Sequence, residues 1–229
     1  NMRVDEQVDT VHAAIVHDIG KLTIPRNIAQ KEFLSAEEQV HVKTAEAQGH
    51  NLVDVVFSSS PNVKRICSQA FRALASLDGQ AEMSTMKMVR GAKVLMVAET
   101  FDTMTAMRLD KSPDSEVMAF KYLLRHPEVF DKDVVKALLR SINTLAPGVS
   151  VELNTGDKGL VLAANEQNFL EPLILMFGDN SMVDLSDREQ FGDLEIKDIM
   201  KTMDNRHVMD INLLKQQGFK AEAEYVEVP

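Results

Sequence analysis

The sequence predicts a mainly α-helical bundle followed by a small antiparallel β appendage. Three observations predict this order. Apolar residues recur at helical spacing through about residue 145, capping and breaking residues divide that stretch into separate helices, and apolar residues alternate with polar ones from Val149 onward. We therefore place a helical domain over residues 1–145 and a small β-rich subdomain over residues 146–229.

The helical part is divided by local start and stop signals. The apolar spacing of the first helix ends at Gly20, a residue suited to ending a helix. Ser35 and Glu38 have the spacing of a capping box, which predicts the start of a second long helix. Ser112 and Asp131 are the predicted caps of the last two helices. The predicted helices cover residues 4–19, 36–56, 63–77, 91–108, 113–125 and 132–143.

The second part of the chain has the alternation of short strands. Residues 149–153 and 160–162 are separated by turn-forming residues, which predicts a hairpin. Two more short strands are predicted over residues 172–177 and 181–185, with a Gly-Asp-Asn turn between them. Residues 195–203 are predicted to form one short helix.

Composition and charge exclude several classes of partner. The formal net charge is -10, and the basic residues are not gathered into a block that would neutralise phosphates, so we expect no binding to long nucleic acid. No apolar run approaches the roughly 20 residues that span a bilayer, and no secretion leader opens the sequence. Cys67 is the only cysteine, which favours a reducing compartment, and we expect a cytoplasmic protein. A small anionic ligand in a local pocket is still compatible with this composition.

One short segment combines residue types that bind metal and phosphate. His17 and Asp18 stand at the end of the first predicted helix, and Lys21 follows one turn later. An imidazole nitrogen beside a carboxylate oxygen suits iron, manganese or zinc, and a lysine nearby suits a phosphate. The alternative is that a histidine at a helix end simply bonds a backbone carbonyl.

The residues around this pair resemble the signature of the HD-GYP family, whose members are bacterial cyclic-di-GMP phosphodiesterases within the HD superfamily. Residues 16–25, Val-His-Asp-Ile-Gly-Lys-Leu-Thr-Ile-Pro, carry the first match, and residues 97–105 resemble the helix with the last metal ligand of that family. Residues 147–177 are similar to the small sheet that often follows such domains. The resemblance implies an HD-type helical bundle. It further implies metal ligands at His17, Asp18 and Glu99, and phosphate contacts from Lys21, Arg108 and Lys111.

Several positions depart from the family pattern. The resemblance places Ala45, Ala73 and Leu74 where family members have metal-ligand histidines, and residues 81–83, Ala-Glu-Met, where they have Gly-Tyr-Pro. Glu99 replaces an aspartate, which keeps a carboxylate but lengthens its reach. We therefore expect no metal, or one weakly held iron, manganese or zinc ion. His41, one turn before Ala45, is the histidine best placed to substitute for a lost ligand.

These features lead to three hypotheses. The favoured one is a non-catalytic HD-GYP-like signalling module that binds a partner protein or a cyclic dinucleotide. The second is a divergent metal-dependent phosphohydrolase with a reduced metal site, in which Lys21 would take part in catalysis. The third is an interaction domain with no small ligand, for which the acidic surface and the loop that replaces the Gly-Tyr-Pro motif are the only indications. A separate alternative to phosphate contact is that Arg108 and Lys111 are only solvated charges at a helix end.

Overall fold

The structure is a computed structural model that describes residues 2–31, 33–77, 88–107 and 112–200, together with residues 216 and 218. The chain divides into two compact units, Asn1–Ser141 and Ile142–Pro229. The first unit is helical and the second contains a five-stranded antiparallel sheet, which confirms the predicted fold class. Each helix in the described part of the chain is too short or too polar to cross a bilayer.

The helical unit is built around three mutually packed helices. The helices are α1 Val4–Val16, α2 Arg26–Ala29, α3 Ala36–Val56, α4 Pro61–Leu77, α5 Arg90–Thr105, α6 Glu116–Arg125 and α7 Lys132–Ile142. The three helices α1, α4 and α5 pack on one another. α6 packs on α5, and α3 packs on a short 3-10 segment, Ile19–Thr23.

The apolar stripe that predicts α1 is not its packed face. Thr10 and Ala13 are the buried residues of this helix. Its large aliphatic side chains on the opposite side are exposed, because α4 and α5 both pack against the small-residue face. Their exposed fractions are 75% for Val4, 47% for Val8, 57% for Val11 and 73% for Ile15.

The helix boundaries agree with most of the predicted caps. Ser35 accepts a hydrogen bond from the backbone N–H of Glu38, whose side chain accepts one from the N–H of Ser35, so the predicted capping box is confirmed. The cap predicted for α6 is wrong: Ser115, rather than Ser112, accepts a bond from the N–H of Met118. The helix therefore begins at Glu116, three residues beyond the proline that marks its predicted start.

The second unit is a five-stranded sheet with a short helix. The strands are β1 Ser150–Leu153, β2 Lys158–Ala163, β3 Leu173–Met176, β4 Met182–Asp184 and β5 Ile196–Ile199, and the short helix α8 spans Arg188–Phe191. The order of the strands in the sheet is β4-β3-β2-β1-β5.

The hairpin is confirmed, because Val151 pairs with Gly159 in antiparallel register. The predicted short helix is wrong over its described part, residues 195–200. That segment contains β5, which pairs with β1 through Val151 and Ile199 and buries Ile196.

Candidate metal centre

His17 is held in place by the end of α1. It is the C-cap of this helix, and its backbone N–H donates to the carbonyl oxygen of Ala13 at 2.9 Å. Its ring nitrogen Nδ1 lies 2.8 Å from the carbonyl oxygen of Ala14, which accepts a hydrogen bond from it. A metal-binding histidine is commonly oriented in this way, with one nitrogen on a carbonyl and the other directed at the metal position.

Two carboxylates lie beside the other ring nitrogen. Nε2 of His17 is 3.0 Å from Oε2 of Glu99, in the middle of α5, and 3.7 Å from Oδ1 of Asp18. The hydroxyl of Thr103, one turn after Glu99, lies 3.4 Å from Oε1 of Glu99 and orients that carboxylate. One donor atom from each of His17, Asp18 and Glu99 lies within 4.8 Å of the other two.

Lys21 lies on the outer side of the two carboxylates. Its Nζ is 2.5 Å from Oδ2 of Asp18 and 3.8 Å from Oε1 of Glu99. The Lys21 side chain is 44% exposed, whereas those of His17 and Glu99 are 19% and 20% exposed. Lys21 is therefore more exposed than the two more buried metal-ligand side chains with which it shares this site.

Two glycines bring α3 against this segment. A Cβ on Gly20 would lie 2.2 Å from the carbonyl oxygen of Ala45, and a Cβ on Gly49 would lie 2.3 Å from the backbone nitrogen of Gly20. Such distances exclude any side chain larger than hydrogen unless the backbone moves. α3 thus contacts the 3-10 segment backbone to backbone, with the carbonyl of Ala45 beside Gly20.

The electrostatics of the centre favour charged forms of His17, Lys21 and Glu99. The hydrogen bond to Glu99 raises the pKa of His17, and the same bond lowers the pKa of Glu99. Burial opposes the charge of Lys21, but the hydrogen bond to Asp18 and the neighbouring carboxylates, including Glu46, raise its pKa above the ordinary value. Both ring nitrogens of His17 have an acceptor, and only a doubly protonated ring donates from both.

The structure brings together four of the residues predicted from the sequence: His17, Asp18, Lys21 and Glu99. Ala45 lies beside Gly20, which is in the 3-10 segment that carries Lys21. His41 is exposed on α3 and does not belong to the converging donors of the described residues. Arg108, Lys111 and the Ala-Glu-Met segment at 81–83 lie outside the described residues.

The other two predicted lost-ligand positions are on α4. Ala73 is buried and Leu74 is half-buried there. Thr103 was not predicted from the sequence, and its signal is its spacing four residues after Glu99 on one helix face. Glu46 was not predicted either; it is a charged neighbour of Lys21 and precedes Gly49 by less than one helical turn.

The donor set fits one divalent ion. One imidazole nitrogen and two carboxylate oxygens are a suitable set for manganese, iron or zinc, and three protein ligands leave positions for water or a ligand atom. A second ion would need further donors, and within the described ranges no second group of three or more converging donors is found.

Comparison with known protein families gives one match. The family model described as HD domain matches residues 1–134. No curated protein and no solved structure matches the chain. The matched range includes the turn with His17 and Asp18 and the helix with Glu99.

Proposed function

The chain belongs to the HD domain family, whose fold resembles that of metal-dependent phosphohydrolases, and we propose that it is a non-catalytic HD-GYP-like signalling module that binds a cyclic dinucleotide. In this proposal one divalent ion and Lys21 hold a phosphate of the ligand without cleaving it. The observation that carries the proposal is the donor set of one imidazole and two carboxylates, which supplies three protein ligands for an ion.

The lack of hydrolysis follows from the number of ions. Two-metal phosphodiester hydrolysis uses ions about 3.5–4 Å apart, which stabilise the attacking and the leaving oxygens together. Where an HD-GYP-like protein would have a further imidazole on α3, this chain has the methyl group of Ala45, which cannot coordinate an ion. A single ion in the His17, Asp18 and Glu99 site supplies only one half of that arrangement.

Phosphate binding requires less than hydrolysis. An ion held by three protein ligands has open positions that accept a phosphate oxygen. Lys21 is partly exposed, carries a positive charge and is 2.5 Å from a carboxylate of the same site, so a phosphate on the ion comes within its reach. Arg108 and Lys111, which match further phosphate contacts in the resemblance, are proposed to act at the same ligand.

The alternative of a divergent phosphohydrolase is favoured by one observation. The side chain of Asp18 is 40% exposed, so the donor set is open to solvent and a coordinated water is accessible. A single ion lowers the pKa of bound water and can supply a nucleophile. Lys21 would then stabilise the leaving oxygen.

Calorimetry combined with a turnover assay tests the proposal. The purified chain, loaded with Mn²⁺, is titrated with cyclic-di-GMP and then incubated with it, and the nucleotides are separated by chromatography. We expect binding without linear product. Lys21→Met should weaken binding about 10- to 100-fold, as expected for losing one charge-assisted phosphate contact. Lys31→Met is the matched control, because Lys31 pairs with Glu38 outside the donor set.

Three results would contradict the proposal. Turnover that disappears in His17→Ala would establish the phosphohydrolase instead. Absence of cyclic-di-GMP binding by the metal-loaded chain would leave the partner-protein hypothesis. Equal affinities of Lys21→Met and Lys31→Met would remove Lys21 from the ligand site.

A further inference from the structure

Lys21 and a divalent ion use the same two carboxylates. The Lys21 ammonium is 2.5 Å from Oδ2 of Asp18 and 3.8 Å from Oε1 of Glu99. The opposite oxygens of these carboxylates, Oδ1 and Oε2, face Nε2 of His17 and belong to the candidate metal position. The ammonium and the ion would therefore sit on opposite oxygens of Asp18 and Glu99.

Two negative charges are too few for both cations. With a protonated ring, His17 and Lys21 offset the charges of Asp18 and Glu99 when no ion is bound, and a divalent ion in place of the Nε2 proton gives these four residues a net charge of +1. At separations of a few ångströms the ion repels the ammonium group and draws the carboxylate charge toward itself. The ion therefore weakens the bond between Lys21 and Asp18, and the net positive charge of the ion-bound site attracts an anion.

Lys21 is free to move when its bond weakens. It lies in the 3-10 segment, its side chain is 44% exposed, and its long aliphatic stem has several rotatable bonds. Its hydrogen bond and its two ion pairs are with Asp18 and Glu99, the residues that an ion would share, and Glu46 is a further carboxylate neighbour.

We propose that Lys21 is an exchangeable counter-cation that couples the two ligands of this site. Without an ion it neutralises Asp18 and Glu99, and when a divalent ion binds, its ammonium group turns outward to a phosphate oxygen of the ligand. The identity of the phosphate ligand rests on the proposed function. The displacement of Lys21 by the ion is independent of that function. Because coupling is reciprocal, the phosphate ligand must tighten ion binding by the same factor by which the ion tightens ligand binding.

The displacement is tested with the metal alone. Chelator-treated wild type, Lys21→Met, Lys21→Arg and Lys31→Met are each titrated with MnCl₂ in a calorimeter. We expect Lys21→Met to bind Mn²⁺ about tenfold more tightly than wild type, since a competing charge at a partly exposed site is removed. Lys21→Arg and Lys31→Met should bind it like wild type. Equal Mn²⁺ affinities of wild type and Lys21→Met would overturn the inference, whatever ligand the protein binds.

The coupling is tested with both ligands. In wild type, saturating Mn²⁺ should strengthen cyclic-di-GMP binding about tenfold or more, and cyclic-di-GMP should strengthen Mn²⁺ binding by the same factor. In Lys21→Met this factor should decrease severalfold, and an unchanged factor would overturn the inference. If Lys21→Met binds Mn²⁺ more tightly but no variant binds cyclic-di-GMP, the counter-cation role is supported and the proposed function is rejected.

Discussion

The Nε2 atom of His17 lies 3.0 Å from Oε2 of Glu99, although 82 residues separate them along the chain. The same ring donates through Nδ1 to the carbonyl oxygen of Ala14 at 2.8 Å. A neutral imidazole has one N–H and can make only one of these two bonds as a donor. Both bonds together therefore require the protonated ring, and a metal ion and a proton compete for Nε2.

This pair should make stability depend on pH. The pKa of His17 is raised from 6.5, so its contribution is complete below 6.5 and is lost as pH rises through the folded value. The pKa of Glu99 is lowered from 4.5, so its contribution is present above 4.5 and is lost as pH falls through its folded value. The pair is thus most stabilising between these two pH values.

We expect Glu99→Gln to lower the free energy of unfolding of the metal-free protein by about 1–2 kcal/mol at pH 5.5 and by clearly less at pH 8.5. Urea unfolding at the two pH values measures the difference. Glu38→Gln is the control, because Glu38 pairs with a lysine rather than with a histidine. The same loss at both pH values for Glu99→Gln would show that His17 is not charged in the fold.

The contact between α3 and the 3-10 segment should not tolerate a methyl group. A Cβ on Gly49 would lie 2.3 Å from the backbone nitrogen and 2.4 Å from the Cα of Gly20. We expect Gly49→Ala to destabilise the protein by about 1–3 kcal/mol, although alanine is the better helix former. Gly178→Ala is the matched control, since its Cβ would meet nothing within 4 Å. Thermal and urea unfolding of both variants provide the measurement, and equal stabilities would contradict the close approach.

The two faces of α1 should respond differently to substitution. Val11 is 57% exposed and Ala13 is fully buried. We expect Val11→Ser to change the free energy of unfolding by no more than about 0.5 kcal/mol, as for other surface substitutions. Ala13→Leu should cost about 1–3 kcal/mol, because it overpacks the contact with α4 and α5. A large loss for Val11→Ser would show that the aliphatic stripe is packed in the protein.

The start of α6 should depend on Ser115. Its hydroxyl accepts from the N–H of Met118 at 3.2 Å, as an N-cap does. We expect Ser115→Ala to cost about 1 kcal/mol and Ser112→Ala no more than a few tenths, since Ser112 lies outside the helix start. Urea unfolding of the two variants compares them directly. If Ser112→Ala were the more destabilising variant, the cap would be at the position that its Pro113 neighbour predicts.

Local signals were sufficient for much of the fold. The capping box of Ser35 and Glu38 predicts α3 over the range that the structure shows, and the alternation after Val149 predicts the first hairpin. These features depend on interactions a few residues apart, so the sequence carries them directly.

Features set by tertiary packing were not predictable in this way. The aliphatic side of α1 is exposed because small residues, Thr10 and Ala13, allow α4 and α5 to approach the other side. The Ile-Lys-Asp-Ile sequence of β5 fits a helical spacing as well as a strand, and pairing with β1 decides the outcome.

The candidate site shows the same division. His17, Asp18 and Lys21 are close in sequence, and their joint chemistry is visible without a fold. Glu99 entered the site only through a family resemblance, because no local pattern relates it to a residue 82 positions earlier. Thr103 was missed because a threonine on a helix is usually explained by packing, and only the position of Glu99 gives it a role.

Anomalous diffraction from crystals soaked in Mn²⁺ would locate any ion bound at His17. We expect one anomalous peak per chain, bonded to Nε2 of His17 and to carboxylate oxygens of Asp18 and Glu99. Two peaks about 3.5–4 Å apart in contact with these residues would contradict it, because they would form the dinuclear centre of a hydrolase. A crystal with no peak at His17 would contradict the claim that this donor set holds an ion.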